Sequence, residues 1–275
     1  MRSTTSRLLR STPLALVACL GAAGCRRGTS APARTTPAPR PAAPRGITSG
    51  ADVLERMHAT YGARAPRNVS FVQANTVYLG SGQVQQQWRI VVAPPGRMRM
   101  DYLPLTSRTG FLYVGDDAWS FQNGRRSTLQ AQVNPTLFLA FGVFAQPVGA
   151  SRRLLDSLGV RSTLVRRDTT GGRPAWVIGA EAGDLSSDQV WVDAERWVPL
   201  RLIDRETRGT RTTVTDTRFT EYLDVGGLPV ARTLLVYRDR KLALKQELRE
   251  VKVNVALPEL AFDPAHWVDA QPPRE

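Results

Sequence analysis

The spacing of apolar and polar positions changes period more than once along the chain. From residue 49 to 61 (SGADVLERMHATY), Val53, Leu54 and Met57 recur at helical spacing. Ser49 is placed to cap this helix, and Gly62, just past its last turn, predicts a left-handed C-cap. Period two then takes over. Val69–Leu79 leads through Gly80-Ser81-Gly82, a hairpin signal, into a strand over 83–92 with Trp88, Ile90 and Val92 on one face. Ala93-Pro94-Pro95-Gly96 breaks the chain. From Arg97 to Tyr102 the alternation is strict. It places Met98, Met100 and Tyr102 inward, and Arg97, Arg99 and Asp101 outward. Strands 111–114 and 118–121 flank Gly115-Asp116-Asp117, and Asn123-Gly124 marks a further turn.

A helical signal returns at Asn134. Asn134 caps, Pro135 suits the first helical position, and Leu137, Phe138, Leu139, Phe141, Val143 and Phe144 make the segment apolar nearly all round. Such a helix is buried or covers an apolar cavity. At about 10 residues it is too short to span a bilayer. A second short helix is expected over 150–158. Strands follow over 162–167, 174–181, 187–192, 197–204, 211–222, 228–240 and 242–255, with turns at Gly171-Gly172, Asp193-Ala194-Glu195 and Gly226-Gly227. Pro199 must lie where no ladder donor is needed. Long antiparallel strands, two or three helices and no internal repeat predict a mainly β (α+β) domain. It is built on one large, strongly curved sheet or a partial barrel.

The first 25 residues carry another pattern. Arg2, Arg7 and Arg10 precede an apolar run from Leu14 to Ala23, which ends in Ala22-Ala23-Gly24-Cys25. A basic head, a short apolar middle and small residues before a break mark a secretory signal. The run is roughly half the ~20 residues a spanning helix needs. Its ending resembles the bacterial lipobox, in which Cys25 is acylated, with palmitate among the attached chains, and becomes the first mature residue. Leu16-Val17-Ala18-Cys19 fits the same pattern but leaves a much shorter apolar core ahead of it. Cleavage without a lipid is the third alternative. Residues 26–46 (RRGTSAPARTTPAPRPAAPRG) cannot bury a core and favour extended conformations. As a semi-rigid stalk they reach up to ~60 Å at ~3.1 Å per residue. The expected organisation is a leader over 1–24, a tether over 25–47 and a folded domain over 48–275.

Composition narrows the function classes. The net charge of +13 is concentrated at the start, since residues 1–50 hold 8 arginines and no acid. From residue 51 onward there are 29 basic and 24 acidic residues, with both signs interspersed. That balance lacks the basic stripe with stacking aromatics that nucleic-acid binding requires. Lysine occurs only at 241, 245 and 252, an arginine bias whose simplest reading is a GC-rich genome. Both cysteines, Cys19 and Cys25, precede the folded domain, so that domain has no disulfide and depends on burial.

Signatures of chemistry are missing. There are two histidines, His58 and His266, and neither has a partner at metal spacing. No P-loop, dinucleotide glycine fingerprint or Gly-x-Ser-x-Gly elbow occurs. Asp116-Asp117 and Asp184 with Asp188 are the acidic clusters, and aspartates in such turns commonly bond their own backbone. The reading is a non-enzyme without a cofactor or metal.

The order of elements resembles the LolA/LolB-like lipoprotein-localisation superfamily. The resemblance rests on the helix ending in Tyr61-Gly62, on Ala93-Pro-Pro-Gly-Arg-Met-Arg-Met100 and on Val114-Gly-Asp-Asp-Ala-Trp119. Later segments agree: Arg173-Pro-Ala-Trp-Val177, Val190-Trp-Val-Asp-Ala-Glu-Arg-Trp-Val-Pro-Leu200, Phe219-Thr-Glu-Tyr222 with Gly227-Leu-Pro-Val230, and Phe262-Asp-Pro264. The match spans about residues 48–265. It implies a half-open antiparallel barrel, with an N-terminal helix and a short apolar helix covering a cavity for acyl chains. Trp88, Met98, Met100, Trp119, Phe138, Phe141 and Phe144 are then the candidate lining, and Cys25 the lipid attachment. The implied protein is a membrane-anchored periplasmic lipoprotein that binds acyl chains of lipoproteins or phospholipids and assists delivery to the outer membrane. The alternative is an envelope-stress regulator or assembly module that uses the same fold to bind a periplasmic protein partner.

Overall fold

The computed structural model describes residues 46–270, apart from residue 116 and residues 130–133. The expected leader, Cys25 and nearly all of the tether lie outside the described residues. The chain enters through β1 (Val69–Leu79), β2 (Gly82–Ala93), β3 (Arg97–Tyr102), β4 (Gly110–Val114), β5 (Asp117–Gln122) and β6 (Arg125–Leu129). After a helical crossing it returns through β7 (Val165–Thr170), β8 (Arg173–Ile178), β9 (Gln189–Asp193), β10 (Pro199–Arg208), β11 (Arg211–Val225), β12 (Leu228–Arg238) and β13 (Lys241–Val253). These thirteen strands make one sheet in the order β6-β5-β4-β3-β2-β1-β13-β12-β11-β10-β9-β8-β7. Every neighbouring pair is antiparallel. The two halves join where β1 pairs β13, with Val69 opposite Val253 and Val77 opposite Leu244. β6 and β7 remain as edges, so the barrel stays open.

Bulges bend this sheet. The register slips between Ser70 and Val72 against β13, between Pro199 and Arg201 against β9, and between Val236 and Tyr237 against β13. Glu221 and Glu250, both inside strands, take left-handed conformations at φ 53. Each extra residue kinks its strand and increases the local twist. Pro199 sits at the first residue of β10 beside such a slip, where its missing N–H costs no ladder bond.

Helices cover the concave face. In α1 (Gly50–Tyr61) Ser49 and Asp52 form a capping box, and Val53, Leu54 and Met57 are fully buried. Gly62 departs from expectation. Its φ is −59, and the helix continues as a 3-10 turn, Gly62–Arg64. A Cβ at 62 would lie 3.0 Å from His58 Cε1 and 3.1 Å from the Phe144 carbonyl. The glycine therefore serves close approach, not a left-handed cap. His58 Nδ1 lies 2.8 Å from that same carbonyl oxygen, tying α1 to the apolar helix. That helix starts where Asn134 Oδ1 accepts the Leu137 N–H at 2.9 Å. It runs through α2 (Pro135–Leu137), a π turn (Phe138–Gly142) and α3 (Val143–Ala145), and α4 (Val148–Ser157) follows.

The convex side corrects the reading of β3. Its alternation holds, but Arg99 and Asp101 are not solvated: they are 0% and 2% exposed. Turns of the C-terminal segment lie across them. Arg99 donates Nε and Nη2 to the Asp101 carboxylate at 2.8 and 2.9 Å. It also donates Nη1 to the carbonyls of Ala261 and Ala270, and Nη2 to that of Trp267, at 3.2, 2.6 and 2.6 Å. All five guanidinium N–H donors are thereby used. Trp267, 1% exposed, stacks on Phe121 with centroids 4.1 Å apart, and the Arg99 guanidinium lies 4.9 Å from its ring.

Arg99→Met leaves the Asp101 carboxylate buried without its partner. Urea unfolding is expected to show a loss of about 3–5 kcal/mol. The double variant Arg99→Met/Asp101→Leu removes the stranded charge and should lose less. A double variant no more stable than the single one would contradict the buried-pair account.

Candidate functional site

Between the concave face and the apolar helix lies an open cavity of about 960 Å³. Strand register fixes its walls. Phe71 pairs Ile90 and Ile90 pairs Met100, so these side chains share the inner face. Gln73, opposite both Trp88 and Leu248, carries that face across to β13. From the far side the apolar helix contributes Leu137, Ala140 and Phe141, and Phe141 stacks on Phe71 at 5.8 Å between centroids.

The lining is graded. Phe71, Ile90, Met98, Phe141 and Leu248 form an apolar floor. A band of amides follows: Gln73 Nε2 and Gln246 Nε2 both donate to Asn75 Oδ1, at 2.8 and 3.1 Å. The mouth, at the hairpin ends of β10 to β13, carries Asp204, Glu206, Arg211, Thr213, Thr215, Arg238 and Asp239. Such a site accepts an apolar tail and meets a polar group at its opening. Trp88 stands between the zones, stacked on Tyr102 at 5.2 Å, and its buried indole N–H has no acceptor among the described residues.

Of the seven candidate lining residues, Trp88, Met98, Met100 and Phe141 meet at this cavity. The other three lie elsewhere. Trp119 pairs Leu112 and packs toward Phe121 and Trp267, in the cluster around the C-terminal segment. Period two alone could not tell which face of β5 looks inward. Phe138 and Phe144, 6% and 1% exposed, are packed into the core, with Phe144 edge-on to Tyr61 at 5.3 Å. Phe71 was missed, although it shares a strand face with Gln73 two positions on. Leu248 and the charged mouth were not, because they join the site only through the β1–β13 pairing.

The acidic turns behave as ordinary structure. The Ser187 hydroxyl, then the Ser186 backbone and hydroxyl and the Ser187 backbone, bond the Asp184 carboxylate and hold it well below the usual range. Asp188 accepts from the Arg205 backbone at 2.7 Å and its guanidinium at 3.1 Å. His266 Nδ1 lies 2.8 Å from Asp263 Oδ2. Among the described residues no cluster of histidine, cysteine or acid could hold a metal, and no helix is long and apolar enough to cross a membrane.

Asp204 is the exception. Burial pushes its carboxyl up to about 6; the Asp188 carboxylate adds to the rise and Arg238 opposes it. The unfolded chain therefore binds fewer protons here between about pH 4 and 6, and this group's contribution to stability falls as pH rises through that window. Asp204→Asn is expected to raise the melting temperature at pH 8 and leave it unchanged near pH 3.5. Calorimetry across that range checks this, and a gap independent of pH would contradict it.

No family model matches the chain, and no curated protein matches it in sequence. Solved structures match it in fold. A DUF1329 family protein from Desulfovibrio piger aligns with a TM-score of 0.57 at 13% identity, over 81% of this chain and 98% of that one. A putative outer membrane lipoprotein-sorting protein domain from Vibrio parahaemolyticus gives 0.57 at 11%, over 80% and 98%. A LolA superfamily protein from Nitrosomonas europaea gives 0.53 at 12%, over 78% and 98%. At such identities the likeness is one of fold. The chain has the LolA/LolB-like fold, an unclosed antiparallel sheet curved around a helix-covered cavity.

Proposed function

We propose that this protein is a periplasmic lipoprotein, held at the outer membrane by an acylated Cys25, whose half-barrel binds acyl chains of lipoproteins or lipids and assists their delivery. The graded cavity carries this reading: it has an apolar floor, an amide band and a charged mouth. Two of its wall residues are methionines, whose flexible thioethers adapt to chains of different shape. Burying about ten methylenes contributes about 8 kcal/mol, the scale of a micromolar complex before ordering costs. An ester or amide carbonyl on the ligand would supply the acceptor that the Trp88 indole lacks. Transfer needs no covalent step, so no catalytic residue is assigned.

A second reading, binding of a periplasmic protein partner, is favoured by one observation. β3 pairs β2 only from Trp88 to Ala93, which leaves residues 82–87 of β2 without a strand on that side. An open strand edge is a template for an added strand.

Native mass spectrometry with lipid extraction separates the two readings. The chain purified from a bacterial envelope should carry phospholipid or acylated peptide, and Ala140→Trp, which fills the cavity, should lose most of it. A ligand-free mass with no uptake of added lipid would sink the carrier reading and turn attention to the strand edge. Separately, Cys25→Ala should abolish acylation and release the protein from the membrane fraction. Unchanged retention would sink the anchor.

A further inference from the structure

The β1–β2 hairpin has an unusual makeup. Asn68 to Trp88 contains no charged residue, in a chain whose residues are 22% charged. Beyond the end of β3, residues 82–87 of β2 are exposed on both faces. Six residues of strand correspond to a projection of about 20 Å. At its end stand Tyr78, Leu79 and Val84, 36%, 55% and 43% exposed, a concentration of large apolar groups on one projecting tip. Val84 lies opposite Val77, Leu79 opposite Gly82 and Tyr78 opposite Gln83, so these apolar groups face water with no charged side chain of the hairpin among them.

The neighbouring tips are different. Because Val77 pairs Leu244 and Thr215 pairs Arg238, the β1–β2, β12–β13 and β10–β11 turns all lie at one end of the sheet. It is the end at which the cavity opens. Residues 204–212 and 238–241 carry six basic and three acidic residues, and Arg211, Arg240 and Lys241 are exposed.

We infer that this end is a docking surface for an anionic phospholipid bilayer. The uncharged tip enters the interfacial region, where an aromatic such as Tyr78 is at home. The basic tips beside it meet the anionic headgroups. A peptide strand laid along the open β2 edge would use the glutamine-flanked backbone and leave the apolar tip and the arginines without a role. Docking also sets the cavity mouth against the lipid surface. The inference does not depend on what fills the cavity: a cavity that takes up no lipid leaves it standing, and failure to dock leaves the cavity's contents open.

The test uses the full chain with Cys19→Ala and Cys25→Ala, which removes any acyl anchor and both native thiols. A single cysteine, Leu79→Cys, carries an environment-sensitive fluorophore. A control carries it at Thr169→Cys, an exposed site beside the β7–β8 turn at the opposite end of the sheet. Vesicles of equal parts phosphatidylcholine and phosphatidylglycerol should blue-shift the residue-79 probe and raise its emission several-fold. Pure phosphatidylcholine and high salt should weaken the response. Arg240→Ala with Lys241→Ala should weaken vesicle affinity about 25-fold, from about fivefold per basic residue near an anionic surface. No response at residue 79, or an equal one at residue 169, overturns the proposal. So does a response that grows with protein concentration in the absence of vesicles, which would mark pairing of two copies along the open edge. Any apolar leader retained in the chain is common to both probes and cannot produce the difference between them.

Discussion

A continuous thirteen-strand sheet curls around a concave face that its helices are too small to fill, and this mismatch governs the molecule. The β1–β13 pairing makes the sheet continuous. Among the described residues, the helical crossing between β6 and β7 and α1 stand inside it. α1, α3 and α4 pack one end of the concave face into a dry core, where Val53, Met57, Phe144 and Leu155 are no more than 1% exposed. At the other end the N-terminal part of the apolar helix reaches across, with Leu158 beside it, and the space left beneath is the cavity. A cavity of this kind needs no special device. It follows from a long sheet, bulges that bend it and a short cover.

The convex side obeys a different rule, because a sheet buried on one face still presents apolar rows on the other. Here arginines cover them. Arg166 and Arg201 lie 5.5 Å from the Trp191 ring, and Arg201 is also bonded to Asp216 at 2.7 and 2.8 Å. Planar guanidinium groups stack and bond at once, which lysine does not do. The arginine bias, read in the sequence as a genomic habit, is used structurally at these positions, and most fully at Arg99.

Most elements were legible because local chemistry specifies them. The Gly80-Ser81-Gly82 and Gly226-Gly227 turns, the Ser49 and Asn134 caps and the apolar run after Pro135 each carry their own signal. β6 was missed because its sequence, RRSTL, is polar and nearly all exposed, so it has no alternation to read. The burial of Arg99 was hidden because it depends on a segment more than 160 residues away. The bulge at Glu250 and the left-handed residue Glu221 have no glycine to announce them. For the site, the resemblance named Trp88, Met98 and Met100 as lining, and strand period two set each on one face of its strand. It could not find the charged mouth, which exists only once β10 to β13 are set against β1. The same limit explains why Trp119, Phe138 and Phe144 were assigned to the cavity when they belong to other packing.

The central claim is that the cavity is graded, with its apolar floor reserved for the end of an acyl chain. The most direct measurement is anomalous diffraction from crystals grown with a fatty acid that carries bromine on its terminal carbon. The account predicts a bromine peak among Phe71, Ile90, Met98 and Phe141, with the carboxylate toward Arg211 and Arg238 at the mouth. Bromine at the mouth, or no bromine inside the sheet at saturating ligand, would contradict it.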